Sequence, residues 1–106
     1  MDFFHIDEAN DGHTAIVEIK NKKTPYGKKS PYDLVLCDLN MPTISGLDVL
    51  KIIKKDSSFT AMPFIMITGL MDKENLLEAV RLGVSDYVAK PFEEADLLSK
   101  IDKVLL

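Results

Sequence analysis

Three side chains with complementary chemistry, Asp38, Thr68 and Lys90, each follow a short, mainly apolar run of residues. Apolar runs bounded by polar residues are typical of buried parallel strands. Open α/β sheets carry their chemistry at the carboxyl ends of such strands. If the three strands are neighbours, about 4.8 Å apart, the three side chains converge on one pocket. Each residue alone is more often a structural feature, but three such residues in chain order are a much more specific indication of a functional site.

A carboxylate, a hydroxyl and an ammonium group suit the transfer of a phosphoryl group onto the carboxylate. In that chemistry Asp38 is the nucleophile, and a divalent cation offsets the charge of the phosphate. Lys90 and Thr68 would contact the oxygens of the transferred group. A phosphatase with a strand-end aspartate is a weaker alternative. It needs a carboxylic general acid two residues after the nucleophile, where this chain has Asn40.

Composition predicts one small globular domain over residues 1–106, with 46% hydrophobic residues and a net charge of −4. The negative charge argues against nucleic acid or an anionic membrane as the main partner. The single cysteine, Cys37, lies inside an apolar run and fits a reducing cytoplasm. No apolar stretch approaches the ~18 residues of a membrane span. We therefore expect a cytoplasmic protein that binds neither nucleic acid nor membrane.

Strand and helix patterns alternate along the chain. Residues 3–9 resemble a short strand, a helix is expected over residues 13–22, and residues 21–31 form an exposed basic loop with four lysines. The other elements expected are a helix capped by Ser45 through Lys55, a strand over 64–67, a helix from an Asp72 cap to Leu82 with Gly83 after it, a strand over 86–89, and a helix over 94–105 with Leu97, Leu98, Ile101, Val104 and Leu105 facing inward. This alternation predicts an α/β domain with a parallel sheet.

The motifs at the three strand ends resemble the receiver domain of two-component response regulators. The matching segments are residues 33–42 with Gly46 beyond them, residues 64–69 and residues 83–92. The similarity covers residues 2–105, and the chain is similar to stand-alone receivers of the chemotaxis type. The resemblance implies a flavodoxin-like, three-layer α/β fold. Its five-stranded parallel sheet would have the order 2-1-3-4-5, with helices on both faces.

The resemblance also implies a signalling domain rather than an enzyme in the usual sense. Asp38 would accept phosphate from a histidine kinase or phosphotransfer protein, and Thr68 and Lys90 would bind the phosphoryl group. Mg²⁺ would be held partly by Asp38 and by the backbone carbonyl of Asn40. Tyr87 matches an aromatic switch position, whose side chain follows inward movement of the threonine hydroxyl.

Two further features follow from the same resemblance. The peptide bond between Lys90 and Pro91 matches one that is cis in the family, a conformation unusual enough to shape a site. Phosphorylation would remodel the face formed by residues 70–82 and 87–100, which a downstream protein would read.

The N-terminal part departs from the family pattern. A typical receiver begins with a strand ending in an acidic pair, followed by a helix, and this chain lacks a clear match to both. Residues 2–15 resemble the second strand and the start of the second helix instead, through a pattern of Ala9, Gly12 and Ala15. In the other alignment Asp7 and Glu8 are the acidic pair, so they are weaker candidates for Mg²⁺ ligands.

A missing first strand would leave a gap of ~10 Å beside the strand that ends in Asp38. Either residues 3–8 shift across to pair beside residues 34–38, or a second chain supplies a strand in a strand-exchanged homodimer. Without the acidic pair, Asp38 and one carbonyl are a poor cage for Mg²⁺. The alternative function is therefore a degenerate receiver, an interaction or dimerisation module that works without phosphorylation.

Overall fold

A computed structural model of the chain describes residues 6–41, 44–69 and 73–105. In chain order its elements are α1 (Gly12–Asn21), β1 (Val35–Asp38), α2 (Gly46–Lys55), β2 (Phe64–Gly69), α3 (Lys73–Leu82), β3 (Asp86–Lys90) and α4 (Glu94–Leu105). The four predicted helices, and the three predicted strands that follow the basic loop, are confirmed to within two residues at each end. The Asp72 cap predicted for α3 lies outside the described residues. No described helix is long and apolar enough to cross a membrane.

Local side-chain chemistry explains where the helices begin and end. The Asp11 carboxylate accepts a hydrogen bond from the Thr14 backbone N–H at 2.8 Å, which caps α1 and lowers the pKa of Asp11. Ser45 caps α2 as predicted, because its hydroxyl accepts from the Asp48 backbone N–H at 3.2 Å. Gly83 follows α3 with a φ of +99°, the left-handed conformation that favours glycine after a helix.

The three described strands form a parallel sheet in the order β1-β2-β3. Its register pairs Asp38 with Ile67 and Lys90 with Gly69, so the ends of all three strands lie at one edge. Because successive side chains alternate between faces, Asp38 and Lys90 belong to one face of the sheet. Thr68 and Tyr87 belong to the other. The parallel sheet with flanking helices confirms the predicted fold class.

One large core lies between the sheet and the helices α1, α2 and α3. Its members include fully buried side chains from α2 and β2 and one from α3: Val49, Leu50, Ile53, Phe64, Met66 and Ala79. The sulfur-bearing side chain of Cys37 belongs to the same core, which explains why an apolar run contains a cysteine. This packing holds β1 and β2 rigidly, and with them the residues at their ends.

The five apolar side chains of α4 that were predicted to face inward are less buried than that prediction implies. No residue of α4 is buried, and Leu98 and Leu105 are 49% and 41% exposed. The main packing partner of α4 is the single strand β3. A helix that packs on one strand can bury only a narrow stripe of its surface, so most of the apolar face of α4 stays accessible.

The strand predicted over residues 3–9 is wrong for residues 6–9, which have no strand pairing, and residues 3–5 lie outside the described part of the chain. Side-chain bonds hold this segment instead. The Asp7 carboxylate accepts from the Tyr32 hydroxyl at 2.7 Å and from the Lys22 ammonium at 3.1 Å. Burial and the bond to Asp7 raise the pKa of Tyr32 to about 12. Residues 6–8 therefore do not shift to pair beside β1.

Candidate functional site

Asp38 and Lys90 are the last residues of β1 and β3, and β2 lies between these two strands. The Lys90 ammonium donates directly to Asp38 Oδ2. The two strands are about 9.6 Å apart, a distance that the long lysine side chain crosses over the end of β2. Both groups are partly accessible, with the Asp38 side chain 32% exposed. The pair is therefore accessible from solvent.

The second carboxylate oxygen of Asp38 is also engaged. Oδ1 accepts a hydrogen bond from the backbone N–H of Asn40 at 3.0 Å, an aspartate turn that starts the loop after β1. The buried Leu39 fixes this loop, because its N–H donates to the Ile67 carbonyl and continues the β1–β2 ladder. The carboxylate is thus held between a cation and a backbone donor at a rigid strand end.

Thr68 lies at the same edge of the sheet but does not join the Asp38–Lys90 pair. Its side chain is 2% exposed, and its hydroxyl donates to the Gly69 carbonyl at 3.2 Å. The register places Thr68 one residue beyond Ile67, the partner of Asp38. Because successive side chains alternate between the faces of the sheet, Thr68 belongs to the face opposite Asp38 and Lys90, so only two of the three side chains predicted to converge meet here.

Tyr87 shares the sheet face of Thr68, and it pairs with Met66, two residues before Thr68 on β2. Its side chain is 40% exposed, so the ring points outward rather than into the core. Three residues after Tyr87, β3 ends at Lys90, which is joined to Pro91 by a cis peptide bond, as the family resemblance implied. Tyr87 therefore lies on β3 three residues before Lys90, with its ring at the surface of the protein.

Cys37 precedes Asp38 but is unsuited to nucleophilic chemistry. Burial raises the pKa of its thiol to about 12, and the negative charge of Asp38 acts in the same direction. The thiol points toward the core cluster and lies 3.6 Å from the Asp38 carbonyl oxygen. Of these two neighbouring side chains, the Asp38 carboxylate is the accessible one and the Cys37 thiol is buried.

Comparison with known proteins decides the family. A family model described as "Response regulator receiver domain" matches residues 1–102. The chain belongs to the response regulator receiver domain family. It is 38% identical over 104 residues to "Chemotaxis protein CheY-3" of Vibrio cholerae, covering 98% of this chain and 74% of that protein. It is 32% identical to "Chemotaxis protein CheY" of Pseudomonas aeruginosa, covering 98% of this chain and 77% of that protein.

Solved receiver structures share the fold. The receiver domain of NtrX from Brucella abortus superposes with a TM-score of 0.81 at 25% identity, covering 98% of this chain and 80% of that one. Receiver domains are signalling modules that interact with histidine kinases and downstream effectors. The structure therefore presents the Asp38–Lys90 pair in the setting of a known signalling fold.

Receiver domains are known to bind Mg²⁺, and the residues described here do not make a complete site for it. Both oxygens of Asp38 already have donors, Lys90 and the Asn40 N–H. The described residues contain no group of three or more His, Cys, Asp or Glu side chains that could hold a metal. Mg²⁺ prefers carboxylate and water oxygens in octahedral geometry, and one carboxylate with two bound donors offers little of that set.

Asp7 and Glu8, the weaker candidates for metal ligands, lie elsewhere. Asp7 bonds Tyr32, three residues before β1, which is the opposite end of the strand from Asp38. Glu8 lines the same shallow groove as Asp7 and Tyr32. The Tyr32 hydroxyl and the Lys22 ammonium both donate to the Asp7 carboxylate and hold it at this position. These two acids are not brought to the candidate site.

Gly46 is a residue of the site whose role the sequence pattern does not show. It begins α2, its N–H donates to the Leu39 carbonyl at 2.9 Å, and its Cα faces the backbone of Asp38. A Cβ on Gly46 would lie 2.2 Å from the Asp38 carbonyl oxygen and 2.9 Å from Leu39 Cα. Only glycine lets α2 approach the end of β1 this closely. In the sequence, Gly46 is one part of the motif after Asp38 that resembles the family.

Proposed function

We propose that this receiver domain accepts a phosphoryl group on Asp38 from the phosphohistidine of a histidine kinase or phosphotransfer protein. The observation that carries the proposal is the direct pairing of the Asp38 carboxylate with the Lys90 ammonium at the carboxyl edge of the sheet. A strand-end carboxylate is a nucleophile fixed in position, and its lysine is a ready counter-charge for a phosphate.

The proposed reaction needs one bond to form and one to break. A carboxylate oxygen of Asp38 attacks phosphorus, and the bond from phosphorus to the donor histidine nitrogen breaks. The histidine nitrogen keeps the electron pair and takes up a proton. Lys90 then exchanges its contact with the carboxylate for one with a phosphoryl oxygen, which stabilises the charge that moves to this edge.

Thr68 and Tyr87 would pass the change to the surface. We propose that the Thr68 hydroxyl leaves the Gly69 carbonyl and donates to the phosphoryl group. Tyr87, two residues back on the neighbouring strand and on the same face, would respond to the space that this movement opens. The face of residues 70–82 and 87–100 would carry the signal, and its exposed apolar side chains Leu77, Val80 and Tyr87 suit a protein partner.

The test is the intact mass of the protein after incubation with acetyl phosphate in a magnesium buffer. The expected result is the addition of one phosphoryl group to the wild type and none to Asp38→Asn. Asp102→Asn is the matched control, because it removes one exposed carboxylate from α4 and should be modified like the wild type. A wild type that stays unmodified, or an Asp38→Asn protein that is modified to the same extent, would refute the proposal.

A second candidate function is a degenerate receiver that binds partners, or a second copy through a strand exchange, without phosphorylation. One observation favours it: the described residues around Asp38 lack the acidic groups of a metal site. Under this reading Asp38→Asn has no effect on partner binding or on the molar mass measured by light scattering. A phosphoryl adduct on the wild type that changes either property would decide for phosphorylation.

A further inference from the structure

The ammonium group of Lys100, on α4, makes three contacts with two neighbouring residues of β3. It donates to the Tyr87 backbone carbonyl at 2.7 Å and to Asp86 Oδ1 at 3.2 Å. It also lies 5.0 Å from the centre of the Tyr87 ring. Lys100 therefore attaches α4 to the strand segment that carries the candidate switch residue.

The three contacts respond differently to the orientation of the Tyr87 side chain. The bonds to the Tyr87 carbonyl and to Asp86 fix the ammonium in place whichever way the ring points. The contact with the ring face exists only while the ring stays outward, as it does here at 40% exposure. A cation over an aromatic face is attracted by the ring quadrupole. An ammonium that is already held in place gains this attraction without further ordering.

We propose that Lys100 is a positioning residue that favours the outward orientation of Tyr87 and opposes its inward rotation. The inference rests on the proposed function in taking Tyr87 as the residue that responds to phosphorylation of Asp38. An exposed cation–π contact shifts an equilibrium between two orientations by about two- to fivefold. Lys100 would thus set how far the unmodified protein already populates the switched orientation.

The test measures the χ1 populations of Tyr87 by NMR, from three-bond couplings to the ring carbon, in the unmodified protein. Lys100→Gln removes the charge and keeps a hydrogen-bond donor, and the population of inward Tyr87 should rise about two- to fivefold. Lys100→Arg should restore the wild-type populations, because a guanidinium also stacks on aromatic faces. Lys103→Gln, an exposed lysine of the same helix, is the control and should behave like the wild type.

Lys100→Ala serves as a second charge-removing variant, since alanine favours helix and should keep α4 folded. Unchanged χ1 populations in both charge-removing variants, or the same shift in Lys103→Gln, would overturn the inference. The Asp38 adduct is measured on the same samples with acetyl phosphate. A rotamer shift without an adduct would refute the proposed function alone, and an adduct without a rotamer shift would refute the role of Lys100 alone.

Discussion

Replacing Gly46 by alanine should destabilise the protein through the backbone of Asp38. The added Cβ would lie 2.2 Å from the Asp38 carbonyl oxygen and 3.0 Å from its carbonyl carbon. Comfortable contacts are roughly 3.5 Å, so about 1 Å of movement is needed. The atoms that block the Cβ belong to the main chain, so no side-chain rotation relieves the clash. Either α2 moves away from β1 or the end of β1 moves with Asp38.

Overpacking of this kind costs about 1–3 kcal/mol. The helix preference of alanine over glycine, up to ~1 kcal/mol, offsets part of it. We therefore expect a loss of about 1–2 kcal/mol in the free energy of unfolding, which lowers Tm by about 5–10 °C in a chain of this size. The assay is thermal unfolding followed by far-UV circular dichroism, together with the rate of Asp38 modification by acetyl phosphate, which should also fall.

Gly69→Ala is the matched control for Gly46→Ala. Gly69 is also at the carboxyl edge, but a Cβ there meets nothing within 4 Å. The Tm of Gly69→Ala should stay within about 3 °C of the wild type, because an added Cβ that meets no atom changes stability by ~0.5 kcal/mol or less. A Gly46→Ala protein that melts like the wild type, or a Gly69→Ala protein that loses as much stability as Gly46→Ala, would refute a steric role for Gly46.

Three further predictions concern side chains. Lys90→Ala should slow modification of Asp38 by acetyl phosphate about 100-fold without unfolding the protein, because the variant lacks one preorganised positive charge. A modification rate within twofold of the wild type would contradict this role of Lys90. Cys37 should react with a thiol reagent near neutral pH at least ~100-fold more slowly in the native protein than in urea, because burial raises the pKa of its thiol to about 12. Equal reaction rates in the two conditions would show that the thiol is accessible in the native protein. Because the fold raises the pKa of Tyr32 to about 12, its contribution to stability is full below pH ~10 and is lost as the pH rises through 12. The denaturation midpoint of the wild type should therefore fall more steeply than that of Tyr32→Phe over this range, and parallel curves would contradict the assignment.

The parts of the fold predicted correctly are those that local chemistry determines. Ser45 and Gly83 mark helix ends by their own hydrogen bond and backbone angle, and apolar runs identify β1 and β2 without knowledge of their neighbours. The carboxyl edge follows from strand order alone, which is why Asp38 and Lys90 could be predicted to meet. The helix ends and apolar runs need no information from distant parts of the chain, whereas the meeting of Asp38 and Lys90, 52 residues apart, depends on the order of the strands in the sheet.

The features that were missed depend on contacts between distant segments. Asp7 pairs with Tyr32, 25 residues away, so its sequence neighbours do not reveal its position. The amphipathic pattern of α4 predicts an apolar face but not how much surface the rest of the molecule offers to cover it. The close approach of Gly46 to Asp38 is a packing distance between two elements, and a glycine in the sequence fits a turn equally well.

Phosphorylation of Asp38 is tested most directly by identifying the residue that carries the phosphoryl group. After treatment with acetyl phosphate, sodium borohydride reduces an aspartyl phosphate to the alcohol, which converts the modified aspartate to homoserine. Tandem mass spectrometry of the digested protein then locates the change. We expect homoserine at position 38 and at no other aspartate. Homoserine elsewhere, or an unaltered Asp38 in a protein that carries a phosphoryl group, would contradict it.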